Sequence, residues 1–229
     1  MESLRRPAVY QGVTFPDYEV EFNTSNVYSL KFGDIILNSY ADGRGYLKYC
    51  FSVGGVWMFV RPHKLIAETF PDLIQLSPIV SHHGLKIGQE RHELEFGTAF
   101  RMICNQVCPD HIDSNRVNNH HSNLMIVTQF ENLLKCGPRK GKKYKGIRKR
   151  PCGAYAIQIQ FHNILDKNGK YFHLFKRFKT EEEEAALAYN TMLEEALLTI
   201  FGLDLGPKLY DLAYKNEVPA TVQQELILE

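Results

Sequence analysis

The sequence predicts an α+β protein with a strand-rich front, a strand–hairpin–strand–helix unit in the middle and a three-stranded sheet packed on one helix at the end. Three observations predict it. Runs of Tyr, Val, Phe and Leu at alternate positions, broken by turn residues, fill residues 10–60. A long Asn-rich loop precedes the short apolar run Leu124-Met125-Ile126-Val127, and Thr128 and Glu131 then stand at the spacing of a helix capping box. Near the end, Asn168-Gly169 parts two alternating runs, and a Glu-rich segment with helical apolar spacing follows.

In the front module, residues 1–70, strands are expected over Tyr18–Phe22, Val27–Phe32, Tyr46–Val53 and Val56–Val60, with a turn at Asp42-Gly43. Pro62 suits the first turn of a helix, where its missing N–H costs nothing. Leu65, Ile66 and Phe70 supply that helix's apolar side and Pro71 stops it. Residues 71–102 show no decisive period: Ser81-His82-His83-Gly84 reads as a loop, and Glu90–Phe100 reads equally as a short helix or a strand.

Residues 103–136 read as strand, long hairpin, strand and helix. Thr128 caps the N–H near Glu131, Glu131 reaches back, and the helix runs over Gln129–Lys135. Lys135–Lys143, rich in Gly, Pro and Lys, is the expected linker, dividing residues 71–137 from 138–229. Beyond it, Tyr144–Lys149, Ala154–Phe161 and Tyr171–Phe178 are expected strands, the last two joined by the turn Asp166-Lys167-Asn168-Gly169. Thr180 is the expected cap of a helix whose apolar face is Ala185, Leu187, Ala188, Met192, Leu193, Ala196 and Leu197. Gly202 ends it, and the tail after Gly206 forms at most a weak final helix.

The chain has 229 residues, 44% of them hydrophobic and 23% charged, which is a globular composition. A net charge of +1 excludes a chain coated in basic residues, but it hides an asymmetry. No Asp or Glu occurs from Asn132 to Leu165, while Lys and Arg crowd between Lys135 and Arg150. The partner of a nearly neutral protein is read from such a stripe. The start lacks a continuous apolar region, and no run approaches the ~18 apolar residues of a membrane span, so neither secretion nor a membrane partner is expected. Five irregularly spaced cysteines are then read as reduced thiols of an intracellular protein.

The densest polar cluster runs from Asp110-His111-Ile112-Asp113 to Asn118-Asn119-His120-His121-Ser122-Asn123. Phosphodiester hydrolysis needs a base for water, a hard cation at the leaving oxygen and groups that orient both. A histidine supplies the base near neutral pH, and carboxylate and amide oxygens suit Mg²⁺. A hairpin packed on a helix can bring Asp110, His111 and the amide of Asn132 together. An isolated Asp-His pair is ordinarily a surface feature, and Asn-rich loops are ordinarily turns. The ordered combination of these residues sets this stretch apart. Cys104 and Cys108 have zinc-like spacing, but a matching second pair is missing, so a structural zinc is not expected.

At these residues the sequence resembles the HNH endonucleases of the phage and intron-encoded homing type. The matching features are Asp110-His111-Ile112-Asp113-Ser114-Asn115, Asn118-Asn119, Asn123-Leu124, Val127-Thr128 and Glu131-Asn132. The resemblance implies the ββα-metal fold for this segment, and an intracellular setting in the host of a phage or mobile element. It implies His111 as general base, Asp110 and Asn132 as ligands of one Mg²⁺ or Mn²⁺, and Asn123 as the residue that orients His111 and braces the hairpin. Ser114 stands where the family usually has Gly, and residues 71–106 are longer than the family's usual gap.

A second resemblance begins at Tyr144-Lys145-Gly146-Ile147-Arg148-Lys149-Arg150-Pro151. It continues through Tyr155-Ala156-Ile157, Asn168-Gly169 and Ala185-Ala186-Leu187-Ala188-Tyr189-Asn190. This segment is similar to the plant Apetala-two-type DNA-binding domain, which implies a three-stranded sheet laid in the major groove of double-stranded DNA. Strand alternation places Tyr155, Ile157, Ile159 and Phe161 toward the helix and leaves Ala154, Ala156, Gln158 and Gln160 on the open face. Lys145, Arg148 and Arg150 extend that face toward phosphates or guanine edges. Cys152 and Gln160 depart from the family's usual Trp and Arg, so its base preference does not carry over. The competing reading is a DNA-binding or regulatory protein with an inactive HNH segment. The presence of Asp110, His111, Asn123 and Asn132 favours the enzyme.

Overall fold

The computed structural model describes residues 4–31, 33–88, 91–178 and 181–219. Along the chain these form β1 (Arg5–Tyr10), β2 (Val13–Glu21), β3 (Val27–Ser29), β4 (Ile35–Ile36), β5 (Tyr40–Ala41), β6 (Leu47–Val53), β7 (Val56–Val60), α1 (Pro62–Thr69), β8 (Gln75–Leu76) and α2 (Pro78–His83). There follow β9 (His92–Phe96), β10 (Phe100–Cys104), β11 (Val107–His111), a 3-10 turn at His121–Asn123, β12 (Leu124–Thr128), α3 (Gln129–Lys135), β13 (Ile147–Lys149), β14 (Tyr155–Asp166), β15 (Tyr171–Phe178) and α4 (Glu182–Leu212). The α+β class and its strand-rich front are as the sequence predicts. Among the described residues, no helix is long and apolar enough to cross a membrane, and all five cysteines are free thiols.

Two compact units emerge, residues 1–90 with 106–129, and residues 91–105 with 130–229. This grouping differs from a division at 70/71 and 137/138. The cause is the antiparallel hairpin of β9 and β10, whose residues Phe100, Arg101 and Met102 pair with Asp166, Leu165 and Ile164 at the far end of β14.

In the first unit, β1 to β4 form one antiparallel sheet and β5 to β7 another. Tyr18 stacks on Phe51 at 4.0 Å between ring centroids, and its hydroxyl accepts from the Ser52 N–H at 2.7 Å. This pairing buries two aromatic faces while satisfying the phenol. α1 begins at Pro62 as expected and buries Leu65 and Ile66 completely. It packs against β1, β6, β11 and β12. β12 is central to a third sheet, antiparallel to β11 and parallel to β8, and all five of its residues are buried.

The expected loop at Ser81-His82-His83-Gly84 is instead the end of α2. Pro78 starts that helix, Ile79 and Val80 are buried, and Gly84 ends it with φ 61° while the Leu85 N–H bonds the Val80 carbonyl at 3.0 Å. A left-handed glycine at this position terminates a helix at little cost. Glu90–Phe100, ambiguous in sequence, contains the strand β9, where buried Leu94 and Phe96 alternate with exposed Glu93 and Glu95.

In the second unit, β14 is the hub. β15 lies along one side, and β13 and β10 pair with its two ends, so five strands form the sheet expected to have three. α4 covers it, breaking at Gly202 (φ 71°) and continuing helical to Leu212. Its buried seam is Ala185, Ala186, Tyr189, Leu193, Ala196, Leu197, Ile200 and Phe201. Leu187, Ala188 and Met192, expected on this face, are half-buried. Tyr189 sets the seam's rotation: a Cβ at Gly146, where φ is +73°, would collide with its ring. Thr180, the expected cap, and Phe32, an expected strand end, lie outside the described residues.

Candidate active site

The loop between β11 and β12 is organised by its own polar side chains. The Asp113 carboxylate accepts from the Asn115 N–H at 2.7 Å, Asn123 Nδ2 at 2.8 Å and Asn118 Nδ2 at 2.9 Å. These bonds, led by that from Asn118, hold its carboxyl below the usual carboxylate range. Asn123 is largely buried. Its Nδ2 also donates to the Asn118 carbonyl at 2.8 Å, its Oδ1 accepts from the Asp113 N–H at 3.1 Å, and its carbonyl accepts from the Ile112 N–H at 2.8 Å. Asn123 therefore ties the two ends of the loop together. Ser114 sits at φ 61°, a left-handed conformation in which a side chain is strained and glycine is not.

His111 closes β11 and is 3% exposed. Its Nε2 lies 3.0 Å from Asn119 Oδ1, while Asn119 Nδ2 donates to the Val117 carbonyl at 3.2 Å. The bond to Val117 turns the amide oxygen toward the ring, where it can accept from an Nε2–H. Asn119, a residue singled out for no role from sequence, is thus the amide on the His111 ring. The Asn123 side chain is engaged with Asp113 and Asn118.

His111 also meets a second imidazole. His63, in the first turn of α1, stands edge-on to it at 5.1 Å between centroids, and Tyr46 tilts against both rings at 5.4 and 6.3 Å. His63 is 5% exposed and its Nδ1 has no hydrogen-bond partner. Burial, reinforced by His111 and then by Arg61 and Lys64, pushes its pKa down to about 3, so it stays neutral near pH 7. Nothing in its local pattern, a His after the helix-starting Pro62, signals the contact with His111.

Asp110 is half-buried in β11 opposite Met125, and strand alternation sends its side chain to the other face from His111. Asn132 is half-buried in α3, within the second unit. Among the described residues no three His, Cys, Asp or Glu side chains converge. A cation bound at Asp110 would draw one carboxylate and complete its shell with amide oxygens, water and substrate. That donor set fits Mg²⁺, which typically takes one or two carboxylates and keeps several waters.

The second unit presents the other expected residues. In β14, Ile157, Ile159 and Phe161 are buried and Gln158 and Gln160 exposed, with Gln158 Nε2 donating to Gln160 Oε1 at 3.3 Å. Arg148 is exposed and pairs across from Ala156, so it shares their face, and Arg150 is half-buried just beyond β13. β15 adds three residues that the sequence reading missed: Arg177, Phe175 and His173 pair with Ala156, Gln158 and Gln160 and are exposed. Their alternation was the available signal, once the register of the third strand is known. Lys145 is placed differently. Its Nζ donates to the Leu133 and Leu134 carbonyls at 3.1 and 2.9 Å, at the end of α3, and burial lowers its pKa to about 8. The expected phosphate contact is replaced here by a helix cap, because α3 ends with carbonyls that need donors.

No family model matches the chain. The sequence is 35% identical, over 109 residues, to an uncharacterized HNH endonuclease of Acanthamoeba polyphaga mimivirus, a match covering 48% of this chain and 51% of the relative. The chain therefore spans about half the length of the curated relative it matches. A solved structure described as DNA binding and cleavage by the HNH homing endonuclease I-HmuI is 26% identical, covering 58% of this chain and 56% of that chain, with a TM-score of 0.38. At that TM-score the two folds are not equated. The sequence likeness is thus to an HNH endonuclease, and neither comparison supports the Apetala-two-type resemblance of residues 138–229.

Proposed function

We propose that the chain is a metal-dependent HNH-type endonuclease that hydrolyses phosphodiester bonds in double-stranded DNA at a preferred site, as homing enzymes do. The observation that carries this reading is His111, fixed by Asn119 at the end of β11 and next to Asp110 in sequence, in a strand–loop–strand–helix order. His111 is the proposed group that takes a proton from attacking water. Asp110 and Asn132 are the proposed oxygen ligands, on the strength of the resemblance. A bound Mg²⁺ or Mn²⁺ supplies charge stabilisation at the leaving oxygen. Arg148, Arg150, Gln158 and Gln160, joined by Arg177, are the proposed DNA contacts, on an Apetala-two-like sheet lying in the major groove.

Supercoiled plasmid incubated with the protein and Mg²⁺, then with a chelator, tests the reading. Metal-dependent nicking is expected, abolished in His111→Ala with DNA affinity retained. Nicking at the wild-type rate in His111→Ala would remove His111 from the mechanism. DNA binding without nicking by the wild type would leave the non-catalytic reading.

A further inference from the structure

Tyr46 is half-buried immediately before β6, and two guanidinium groups lie on its ring. The central carbon of Arg61 is 5.3 Å and that of Arg116 is 4.8 Å from the ring centroid. The same ring tilts against His63 and His111. Arg116, exposed in the loop after β11, is further fixed by donating to the Arg44 carbonyl at 3.1 Å. Two other arginines of this unit are neutralised, Arg5 by Asp34 and Arg6 by Asp72. Among the described residues, neither Arg61 nor Arg116 makes an ion pair. Asp42 feels the charge of Arg61, but its Oδ1 accepts from the Arg44 and Tyr46 N–H groups at 2.8 and 3.0 Å.

Two like charges held on one ring repel each other, and the arrangement is stabilised when an anion lies against both. A guanidinium stacked on an aromatic face is held flat and keeps its N–H edge for the oxygens of a phosphate. α1 starts directly after Arg61 with no acidic residue in its first turn and no side-chain cap, so its positive end adds to the same field.

We infer that Arg61 and Arg116, plated on Tyr46, form a clamp for a DNA backbone phosphate at the His111 site. This clamp rests on the nuclease reading and deepens it. It gives the first unit its own grip on the substrate, independent of the basic stripe around Lys135–Arg150, and sets the phosphodiester beside the base.

The full-length chain and its Arg61→Ala, Arg116→Ala, Arg116→Lys and double Ala variants test it in two measurements. The first is the salt dependence of binding to a random-sequence duplex, the second single-turnover nicking of supercoiled plasmid with Mg²⁺. The double Ala variant is expected to reduce the slope of log affinity against log salt by about one unit, the single phosphate released, and each single Ala substitution by part of that. Each Ala substitution is expected to slow nicking by about 10²-fold, as loss of one charge-stabilising donor does. Arg116→Lys keeps the charge and the slope but loses the planar fork, so its nicking stays below wild type. A wild-type slope in the double variant overturns the clamp, whether or not the protein nicks. A reduced slope in a protein that never nicks upholds the clamp and removes the nuclease reading. Should Arg61→Ala fail to fold, the two exposed Arg116 variants decide the matter alone.

Discussion

Acidifying the protein from about pH 7 to about pH 5 probes the imidazole of His63 directly. In the unfolded chain this group titrates near 6.5, and in the folded chain its pKa is lowered to about 3, chiefly by burial. Between those values the unfolded state holds a proton that the folded state does not, so stability rises with pH. The contribution is fully present above the unfolded pKa and is lost as pH falls through the window toward 3. Over the interval from about pH 7 to about pH 5 the linkage amounts to about 2 kcal/mol. Urea melts at each pH measure it, with midpoints compared at a common slope. His83 and His121 are also lowered by burial and add to the wild-type slope, so the informative quantity is wild type minus His63→Phe. The variant keeps an aromatic ring against Tyr46 and His111 but has nothing to protonate, and its stability should depend less steeply on pH by that amount. Equal losses in wild type and variant would mean that the folded protein accommodates the charged ring. The buried packing of His63 on His111 would then be refuted.

Asn119→Ala removes the acceptor from His111 Nε2 and should slow nicking about 10–100-fold, as loss of an orienting partner does, with DNA affinity unchanged; Asn119→Asp should recover much of the rate, and an unimpaired Ala variant would release Asn119 from this role. Lys145→Met should cost about 1–2 kcal/mol of stability by uncapping α3 and leave the salt slope of DNA binding intact. A slope reduced by about one unit would instead put that ammonium on a phosphate. Ser114→Gly relieves a left-handed side chain and should raise stability by about 0.5–1 kcal/mol in urea melts; a fall would show that the loop needs the serine.

How much of this was legible in sequence depended on whether the signal was local. β7 and β15 carry their own period and turn residues, and both were bounded correctly from residues alone. α2 was misread because Ser81-His82-His83-Gly84 has the composition of a loop. What makes it helical is the burial of Ile79 and Val80, and burial is a tertiary fact. β10 escaped because its local partner β9 was itself ambiguous in sequence and its other partner lies more than sixty residues away, on the end of β14.

The candidate site divides along the same line. Asp110, His111 and Asn123 stand out in sequence because their order along the chain is itself the pattern. His63 and Tyr46 were not, since they reach His111 from α1 and from the start of β6, where no spacing rule connects them to it. Lys145 illustrates the converse. Its place in a basic stripe suggested a phosphate, yet the carbonyls that end α3 are competing acceptors inside the fold, and they hold it. A cation's position in sequence locates charge only before the fold's own acceptors have been counted. The cations proposed for DNA are ones that no carboxylate neutralises among the described residues: Arg148 and Arg177 on the open sheet of the second unit, and Arg61 and Arg116 on the ring of Tyr46 in the first.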